Sequence, residues 1–246
     1  MSTALIGGTG LQDLSDFEVL RSHAVDTPFG ATSMPIQEGE IHGRKLFFLH
    51  RHGGRGLPIP PHRVNYQANI WALKHLGVTE IVAANAVGAI ASHCRPGVLV
   101  VPDQILDYTW GRAHTFDDGE SGSLLHIDFT EPYDIGLRQR LLAAAQSSQV
   151  ACVDGAVHAV VQGPRLETAA EVRRLARDGA DLVGMTGMPE ASLARELAVP
   201  YAAVCMVVNA AAGIDDVPIT LDAIHQILVR ETKLLLRVLE QLLSTG

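Results

Sequence analysis

The sequence predicts a layered α/β fold, in which the strands of a sheet alternate along the chain with helices. Six apolar runs of four to eight residues are typical of buried strands: Thr3 to Ile6, Lys45 to Leu49, Glu80 to Ala84, Val98 to Val101, Val157 to Gln162 and Tyr201 to Val208. Helical patterns separate several of these runs. The chain has 246 residues, of which 47% are hydrophobic and 19% charged, so it can bury one sizeable core. Because we find no repeat, low-complexity tract or Gly/Ser linker, we predict one domain over residues 1–246.

The helical segments are recognised by their apolar period and by the residues that end them. Four helices are predicted before the strand-like run that starts at Tyr201. They are Pro61 to His75, ending at Gly77, then Gly136 to Gln146, Leu166 to Arg177 and Pro189 to Leu197. In the last segment Thr220 can cap a helix whose apolar residues recur near the helical period: Leu221, Ile224, Leu228, Leu235, Val238 and Leu242.

Composition excludes several classes of protein. The net charge of −8 argues against a surface that binds nucleic acid. Cys94, Cys152 and Cys205 are odd in number and far apart, which favours neither a disulfide framework nor a zinc cluster and fits a reducing cytoplasm. We expect no export signal and no membrane span, because the N-terminus has no basic and long apolar regions and the apolar runs are too short. The sequence therefore predicts a soluble cytoplasmic protein.

A glycine-rich segment follows the first strand. Gly7, Gly8 and Gly10, with Thr9 between them, leave bare backbone N–H groups that could converge on an anion, although a plain tight turn is equally consistent. The dinucleotide fingerprint is incomplete, because Asp13 stands where it needs a glycine, and the Gly-Lys-Ser/Thr of a P-loop is absent.

Polar residues also follow the second strand-like run, in His50-Arg51-His52-Gly53. The donor fork of Arg51 could hold a phosphate. A His-x-His pair at a strand end also occurs in metal-dependent amidohydrolases, which is a competing class, and His50 alone is equally typical of a packed or capping histidine. Such a metal site needs further ligands, and His114, His126 and His158 do not fall into that order.

Asn85-Ala86-Val87-Gly88 follows the third run, and its small residues would let backbone amides approach an anion. Since ligands of α/β sheets collect beyond the carboxyl ends of strands, we expect the three segments to form one anion site. The predicted loops Gly53 to Pro60, Gly111 to Gly122 and Ala212 to Pro218 lie next to candidate site residues and are suited to closing over a ligand.

The sequence resembles the trimeric purine nucleoside phosphorylases and the related 5′-methylthioadenosine phosphorylases. The matching motifs occur in order along nearly the whole chain: Gly7-Gly8-Thr9-Gly10, Asp26-Thr27-Pro28-Phe29-Gly30, Arg51-His52-Gly53, Val64-Asn65-Tyr66-Gln67-Ala68-Asn69-Ile70-Trp71-Ala72-Leu73, Gly163-Pro164-Arg165 and Met185-Thr186. The resemblance implies a three-layer αβα sandwich around a distorted mixed sheet. It also implies a pentosyltransferase that needs no metal or cofactor and uses inorganic phosphate as co-substrate.

The resemblance further implies roles for particular residues. It predicts that phosphate is bound by Thr9, Arg51, His52, Thr186 and the backbone at Ala86, beside Asn85, and that Met185 lies against the ribose. Members of this family are typically homotrimers with shared sites. His126 matches the histidine that reaches into a neighbour's site, although it could be an ordinary surface residue.

Two positions bear on which purine is bound. Adenine-specific members carry two aspartates and a small hydroxyl residue where this chain has Asn209, Ala211 and Glu167, whereas 6-oxopurine enzymes carry Asn and Glu. A carboxylate can accept the N1–H of hypoxanthine, and an amide can donate to O6 and N7. Glu167 could instead favour a helix N-terminus and Asn209 a turn. The pair together favours a 6-oxopurine, with both residues stabilising negative charge that moves into the departing base.

The residue expected beside the 5′ end of the sugar differs from that of an inosine enzyme, where the resemblance implies a histidine. Leu221, with Ile224 one turn on, matches that place, and an apolar wall favours a methylthio group, unless both residues belong to the core. We therefore expect 5′-methylthioinosine phosphorylase activity. The alternatives are inosine/guanosine phosphorylase, 5′-methylthioadenosine phosphorylase and, outside the family, the amidohydrolase or a non-catalytic nucleoside-binding protein.

Overall fold

The computed structural model describes residues 1–244, apart from residues 9–10, 12–16, 55, 57 and 121–123. The strands within this part of the chain are β1 Thr3–Gly7, β2 Phe17–His23, β3 Ile36–Ile41, β4 Arg44–His50, β5 Glu80–Ala89, β6 Leu99–Val101, β7 Gln104–Asp107, β8 Cys152–Asp154, β9 Val157–Val160, β10 Leu182–Gly184 and β11 Tyr201–Ala210. The helices are α1 Tyr66–His75, α2 Ile135–Ser147, α3 Ala169–Arg177, α4 Gly187–Glu196 and α5 Leu221–Ser244, with a short 3-10 turn at Pro61–Arg63.

The strands form one mixed sheet that branches at β5. Its main path runs β2-β3-β4-β1-β5-β10-β9-β7, while β11 pairs with β5 and continues the sheet to β6 and β8. β1 pairs with β5 in parallel as far as Ala83, and β10 joins the same edge in the antiparallel sense only at Gly88. Among the described residues, no strand pairs with this edge of β5 between Ala83 and Gly88.

Helices cover both faces of the sheet, because neighbouring residues of a strand point to opposite faces. Along β11, Ala203, Cys205 and Val207 join one apolar cluster with residues of α1 and α4. Ala202, Val204 and Met206 join a second cluster with residues of α2 and α5. A smaller cluster lies under α3. This arrangement confirms the predicted three-layer αβα fold with a mixed central sheet.

The predicted elements are found, with changes at their ends. The helix expected over Pro61 to His75 is a 3-10 turn followed by α1, which begins after the cap residue Asn65. The helix expected from Leu166 begins at Ala169, because Thr168 caps it. Thr220 caps α5 as expected, through its Oγ1 and the N–H of Ala223, which lie 3.3 Å apart. In the described residues no helix has the length and hydropathy that a membrane span needs.

One prediction about the site was wrong. Asn85-Ala86-Val87-Gly88 was expected to be a loop after a strand, but β5 continues to Ala89. The strand continues because β11 pairs with it over nearly its whole length, from Ile81 to Ala89. Asn85 to Gly88 are therefore residues of the central sheet and not of a loop that follows it.

Candidate active site

A cleft of about 500 Å³ opens where β1, β4, β10 and β11 end and where the edge of β5 is unpaired. It brings together nine of the predicted site residues: Arg51, His52, Ala86, Glu167, Met185, Thr186, Asn209, Leu221 and Ile224. Gly8 also lines the cleft. Thr9 lies outside the described residues.

The open edge of β5 forms part of the cleft wall. Arg51 Nη1 donates to the carbonyl of Ala84, 3.0 Å away, at the point where the pairing with β1 has ended. Residues two apart in a strand present their backbone groups on the same edge, so the N–H of Ala86 faces the same side as this carbonyl. A backbone donor and a guanidinium thus lie next to each other on the cleft.

Arg51 is fully buried and is held by a carboxylate that the sequence did not reveal. Its Nε donates to Glu190 Oε1 at 2.5 Å and its Nη2 to Glu190 Oε2 at 2.9 Å, and Tyr201 Oη donates to Glu190 Oε2 at 2.9 Å. Burial opposes the positive charge, but Glu190 outweighs it and raises the pKa of Arg51 above its usual value. The bidentate fork expected to hold phosphate is therefore occupied, which leaves one N–H on Nη1 and one on Nη2.

Gly8, in the glycine-rich segment of the sequence, approaches Arg51 closely. A Cβ atom at this position would lie 2.9 Å from Arg51 Nη1. Because Glu190 and the Ala84 carbonyl fix the guanidinium, it has no room to move away, so the close approach requires glycine.

His52 presents a neutral imidazole beside this guanidinium. Its Nδ1 lies 2.8 Å from the carbonyl of Ile59, which can only accept, so Nδ1 carries the proton and Nε2 is left as an acceptor. Burial, and then the charge of Arg51, lower the pKa of His52. The ring of His50 instead packs edge-on against Phe48, with centroids 4.5 Å apart, in agreement with the packed alternative.

Thr186 and Asn85 form a buried pair. Thr186 Oγ1 donates to Asn85 Oδ1 at 3.1 Å, and Thr186 lines the cleft whereas Asn85 stands behind it. Asn85, predicted beside the phosphate, is thus positioned to orient the hydroxyl that faces the cleft.

Glu167 and Asn209 occupy another part of the same cleft. Burial raises the pKa of Glu167. Asn209 lies in β11 directly after an irregular step in the pairing with β5, since Val207 pairs with Val87 and Asn209 with Gly88. The extra residue re-aims the Asn209 side chain, as a β-bulge does. One hydrogen of its Nδ2 is donated to the carbonyl of Ala210 at 2.6 Å, which leaves the second hydrogen free.

The remaining cleft wall is mainly apolar. Met185 lines it, and at its mouth Leu221 is 83% exposed, which is not a core position, while Ile224 packs partly on the α5 side of the sheet. His126 is exposed and does not line the cleft of its own chain. Within the described part of the chain no group of three or more His, Cys, Asp and Glu side chains could hold a metal ion.

Sequence reasoning missed three residues of this region: Glu190, Tyr201 and Arg112. Glu190 comes four residues after Thr186, and a glutamate in so apolar a segment was the one available signal. Nothing in the sequence around Arg112 sets it apart, because most of its partners are backbone carbonyls.

Comparisons with known proteins agree with this geometry. A family model described as the phosphorylase superfamily matches residues 2–244. A probable S-methyl-5′-thioinosine phosphorylase from Pseudomonas syringae pv. tomato is 51% identical over 225 residues, which are 92% of this chain and 91% of the relative. A probable 6-oxopurine nucleoside phosphorylase from Thermococcus kodakarensis is 43% identical over 241 residues, 95% of this chain and 89% of the relative.

Solved structures with the same fold include an adenosine/methylthioadenosine phosphorylase from Schistosoma mansoni, a mutant in complex with methylthioadenosine. It superposes with a TM-score of 0.92 at 32% sequence identity and covers 100% of this chain and 91% of its own. The chain belongs to the phosphorylase superfamily.

Proposed function

We propose that the chain catalyses the phosphorolysis of a 6-oxopurine nucleoside, namely 5′-methylthioinosine with phosphate, to give hypoxanthine and 5-methylthioribose 1-phosphate. The observation that carries the proposal is the spacing of polar groups along β5. Asn85 supports Thr186, and Gly88 lies against Asn209, three residues further along. Three residues of a strand span about 10 Å, which is enough to separate an anion from a purine with a ribose between them.

The anion end supplies donors without a large net charge. The free N–H groups of Arg51 and the N–H of Ala86 would bind phosphate oxygens. The hydroxyl of Thr186 would join them by exchanging its hydrogen bond to Asn85 for one to phosphate. The Nε2 of neutral His52 would accept the P–OH hydrogen. Thr9 belongs to this set by the resemblance of its motif. These groups hold the nucleophile in place, so catalysis rests on positioning.

The base end receives the electrons of the broken bond. As the C1′–N9 bond breaks, its electron pair moves into the purine, and a phosphate oxygen forms the new bond to C1′ from the opposite face. The one free N–H of the Asn209 amide would be shared between O6 and N7, while Glu167 would accept the N1–H. Adenine has no N1–H and would leave Glu167 without a partner, which disfavours it.

The 5′ end selects the substituent on the sugar. Met185, Leu221 and Ile224 give it apolar surface, joined by Ile219 and Leu166 on the same cleft. A methylthio group is accommodated there without leaving a hydroxyl unpaired. A preference of this kind amounts to about 1–3 kcal/mol, so we expect inosine to be a slower substrate rather than an inert one.

The deciding experiment measures base release from 5′-methylthioinosine, inosine and 5′-methylthioadenosine, each with and without phosphate and with a chelator. We expect hypoxanthine to appear fastest from the methylthio nucleoside, only with phosphate, and unchanged by the chelator, since no cofactor is proposed.

Each other result has a definite meaning. Faster release from inosine would favour an ordinary purine nucleoside phosphorylase, and adenine release would favour the methylthioadenosine activity. Ammonia release that the chelator abolishes would favour the amidohydrolase. Binding without turnover in excess phosphate would favour a nucleoside-binding protein.

The active form is proposed to be a homotrimer in which His126 enters a neighbouring cleft. Leu124 and Leu125 beside it are 73% and 60% exposed, as expected of residues that an interface covers. A solution mass equal to that of one chain would contradict this. The three cysteines are free thiols, which supports a cytoplasmic location.

A further inference from the structure

The guanidinium of Arg112 lies between two chain segments that carry different parts of the cleft. β9 and β10 run parallel as neighbours, and their last pair is Val160 with Gly184. Beyond this pair the segments separate. One leads through Gln162 to Glu167, at the base end, and the other contains Met185 and Thr186.

Arg112 bonds to both segments at the point where they separate. Its Nη2 donates to the carbonyls of Gln162 at 2.9 Å and Val161 at 3.3 Å, and its Nη1 donates to those of Met185 at 2.9 Å and Met188 at 2.6 Å. One planar group therefore replaces the strand-to-strand hydrogen bonds that have ended.

The environment of Arg112 is unusual for a charged side chain. It is 9% exposed and forms no ion pair with any described acidic residue, and its Nε is without a partner among the described atoms. The Tyr66 ring lies 5.4 Å from the guanidinium carbon, and Tyr66 Oη accepts a bond of 3.3 Å from Nη1. Burying a cation without a carboxylate is costly, and here its hydrogen bonds are directed at the two cleft segments.

We propose that Arg112 is a positioning residue that sets the distance between the base-binding segment and the segment that binds ribose and phosphate. Each half of the cleft has its own support, since Asn85 holds Thr186 and the cap of α3 follows Glu167. Loss of Arg112 therefore leaves the halves able to bind their ligands separately but misplaces them for reaction. A misplacement of about 1 Å can cost about 100-fold in rate.

The test compares Arg112→Lys with wild type in kcat for 5′-methylthioinosine, in the Kd of phosphate alone and of hypoxanthine alone, and in Tm. We expect kcat to fall about 100-fold while both binary Kd values change less than about threefold. Tyr66→Phe is a milder change that removes one acceptor of Arg112 and the 2.9 Å hydrogen bond from Tyr66 Oη to the Pro61 carbonyl. It is expected to lower kcat several-fold in the same pattern.

A matched control is Arg138→Lys. Arg138 also donates to two carbonyls, those of Pro102 at 2.8 Å and Val101 at 3.3 Å, but it is remote from the cleft. It should lower Tm and leave kcat unchanged. The proposal is overturned if Arg112→Lys lowers only Tm. It is also overturned if kcat falls only to the extent that the affinities for phosphate and for hypoxanthine both fall. If Arg112→Lys does not fold, Tyr66→Phe is judged by the same criteria. The inference rests on the proposed function. Absence of turnover in the wild-type chain would refute that function, whereas a loss of kcat in the variants alone tests the role of Arg112.

Discussion

At the level of single residues, the pair formed by Arg51 and Glu190 determines how the cleft treats an anion. A buried arginine beside a buried glutamate contributes little net charge, and Tyr201 takes part of the remaining capacity of the carboxylate. Phosphate would therefore meet directed N–H and O–H donors rather than an unpaired cation. This suits a reaction in which the nucleophile must leave its site as part of the product, because a tighter ground-state grip does not speed the chemical step.

Asn209 should act on turnover and not on phosphate binding. We expect Asn209→Ala to lower kcat by about 10²–10³-fold, the usual effect of removing a donor to charge that develops in the transition state. The phosphate Kd should change by less than about twofold. Asn209 lies against Gly88, which is about 10 Å along β5 from Asn85, the partner of Thr186.

Steady-state turnover and calorimetry with phosphate measure the two quantities. Gln67→Ala is the control, since this amide donates to the carbonyl of Thr115 outside the cleft. A variant of Asn209 with full turnover and lost phosphate binding would reverse the proposed roles of the two ends.

At the level of elements, the sequence predicted strands that contain an apolar run of four or more residues and missed strands that are exposed or very short. Tyr201 to Val208 reads as a buried strand because every residue from Tyr201 to Val208 is indeed buried. β2 is exposed along most of its length and has no apolar run to reveal it. β10 has only three residues, and its existence depends on pairing with β5 and β9, which are distant in sequence.

The site was predictable to a similar degree. Arg51 was predicted from its own surroundings, since polar residues after a strand have a local signature, whereas Thr186 was predicted only through the family resemblance. Glu190 has only the weak signal of a glutamate in an apolar segment and Arg112 has none, because their significance comes from groups 139 and up to 76 positions away in the chain. The continuation of β5 through Asn85 could not be predicted either, since it depends on its pairing with β11.

The start of α3 offers a test of how an element positions Glu167, the residue proposed to bind the base. Thr168 Oγ1 accepts from the N–H of Glu171 at 3.1 Å, and Glu171 Oε2 accepts from the N–H of Thr168 at 2.7 Å, directly after Glu167. Thr168→Ala should cost about 1 kcal/mol of stability and raise the KM for the nucleoside several-fold, because Glu167 loses its fixed neighbour.

Asp134→Ala provides the comparison for this prediction. Asp134 caps α2 by accepting from the N–H of Leu137 at 2.7 Å, far from the cleft. It should cost similar stability with an unchanged KM. Equal KM values in the two variants would show that the α3 cap has no part in the site.

At the level of the whole molecule, one sheet carries all the apolar clusters, and we propose that the chain unfolds as a single domain. Buried within it is His158, whose Nδ1 lies 3.3 Å from Tyr133 Oη and whose Nε2 has no partner among the described atoms. Burial, and then the charge of Arg51, lower the pKa of His158 to about 4. The fold therefore requires this histidine to be neutral.

This requirement makes stability depend on pH. The folded pKa lies below the value of about 6.5 expected in the unfolded chain, so the unfolded state binds the extra proton between the two values. Stability is thus complete above about pH 6.5 and falls as the pH is lowered toward 4, by about 2 kcal/mol at pH 5 from this group. His158→Gln should remove that part of the loss, although the variant is itself less stable at pH 7.5. Urea unfolding at pH 7.5 and pH 5 measures the difference, with the exposed His225→Gln as control. An equal loss in wild type and His158→Gln would mean that the acid sensitivity arises elsewhere in the molecule.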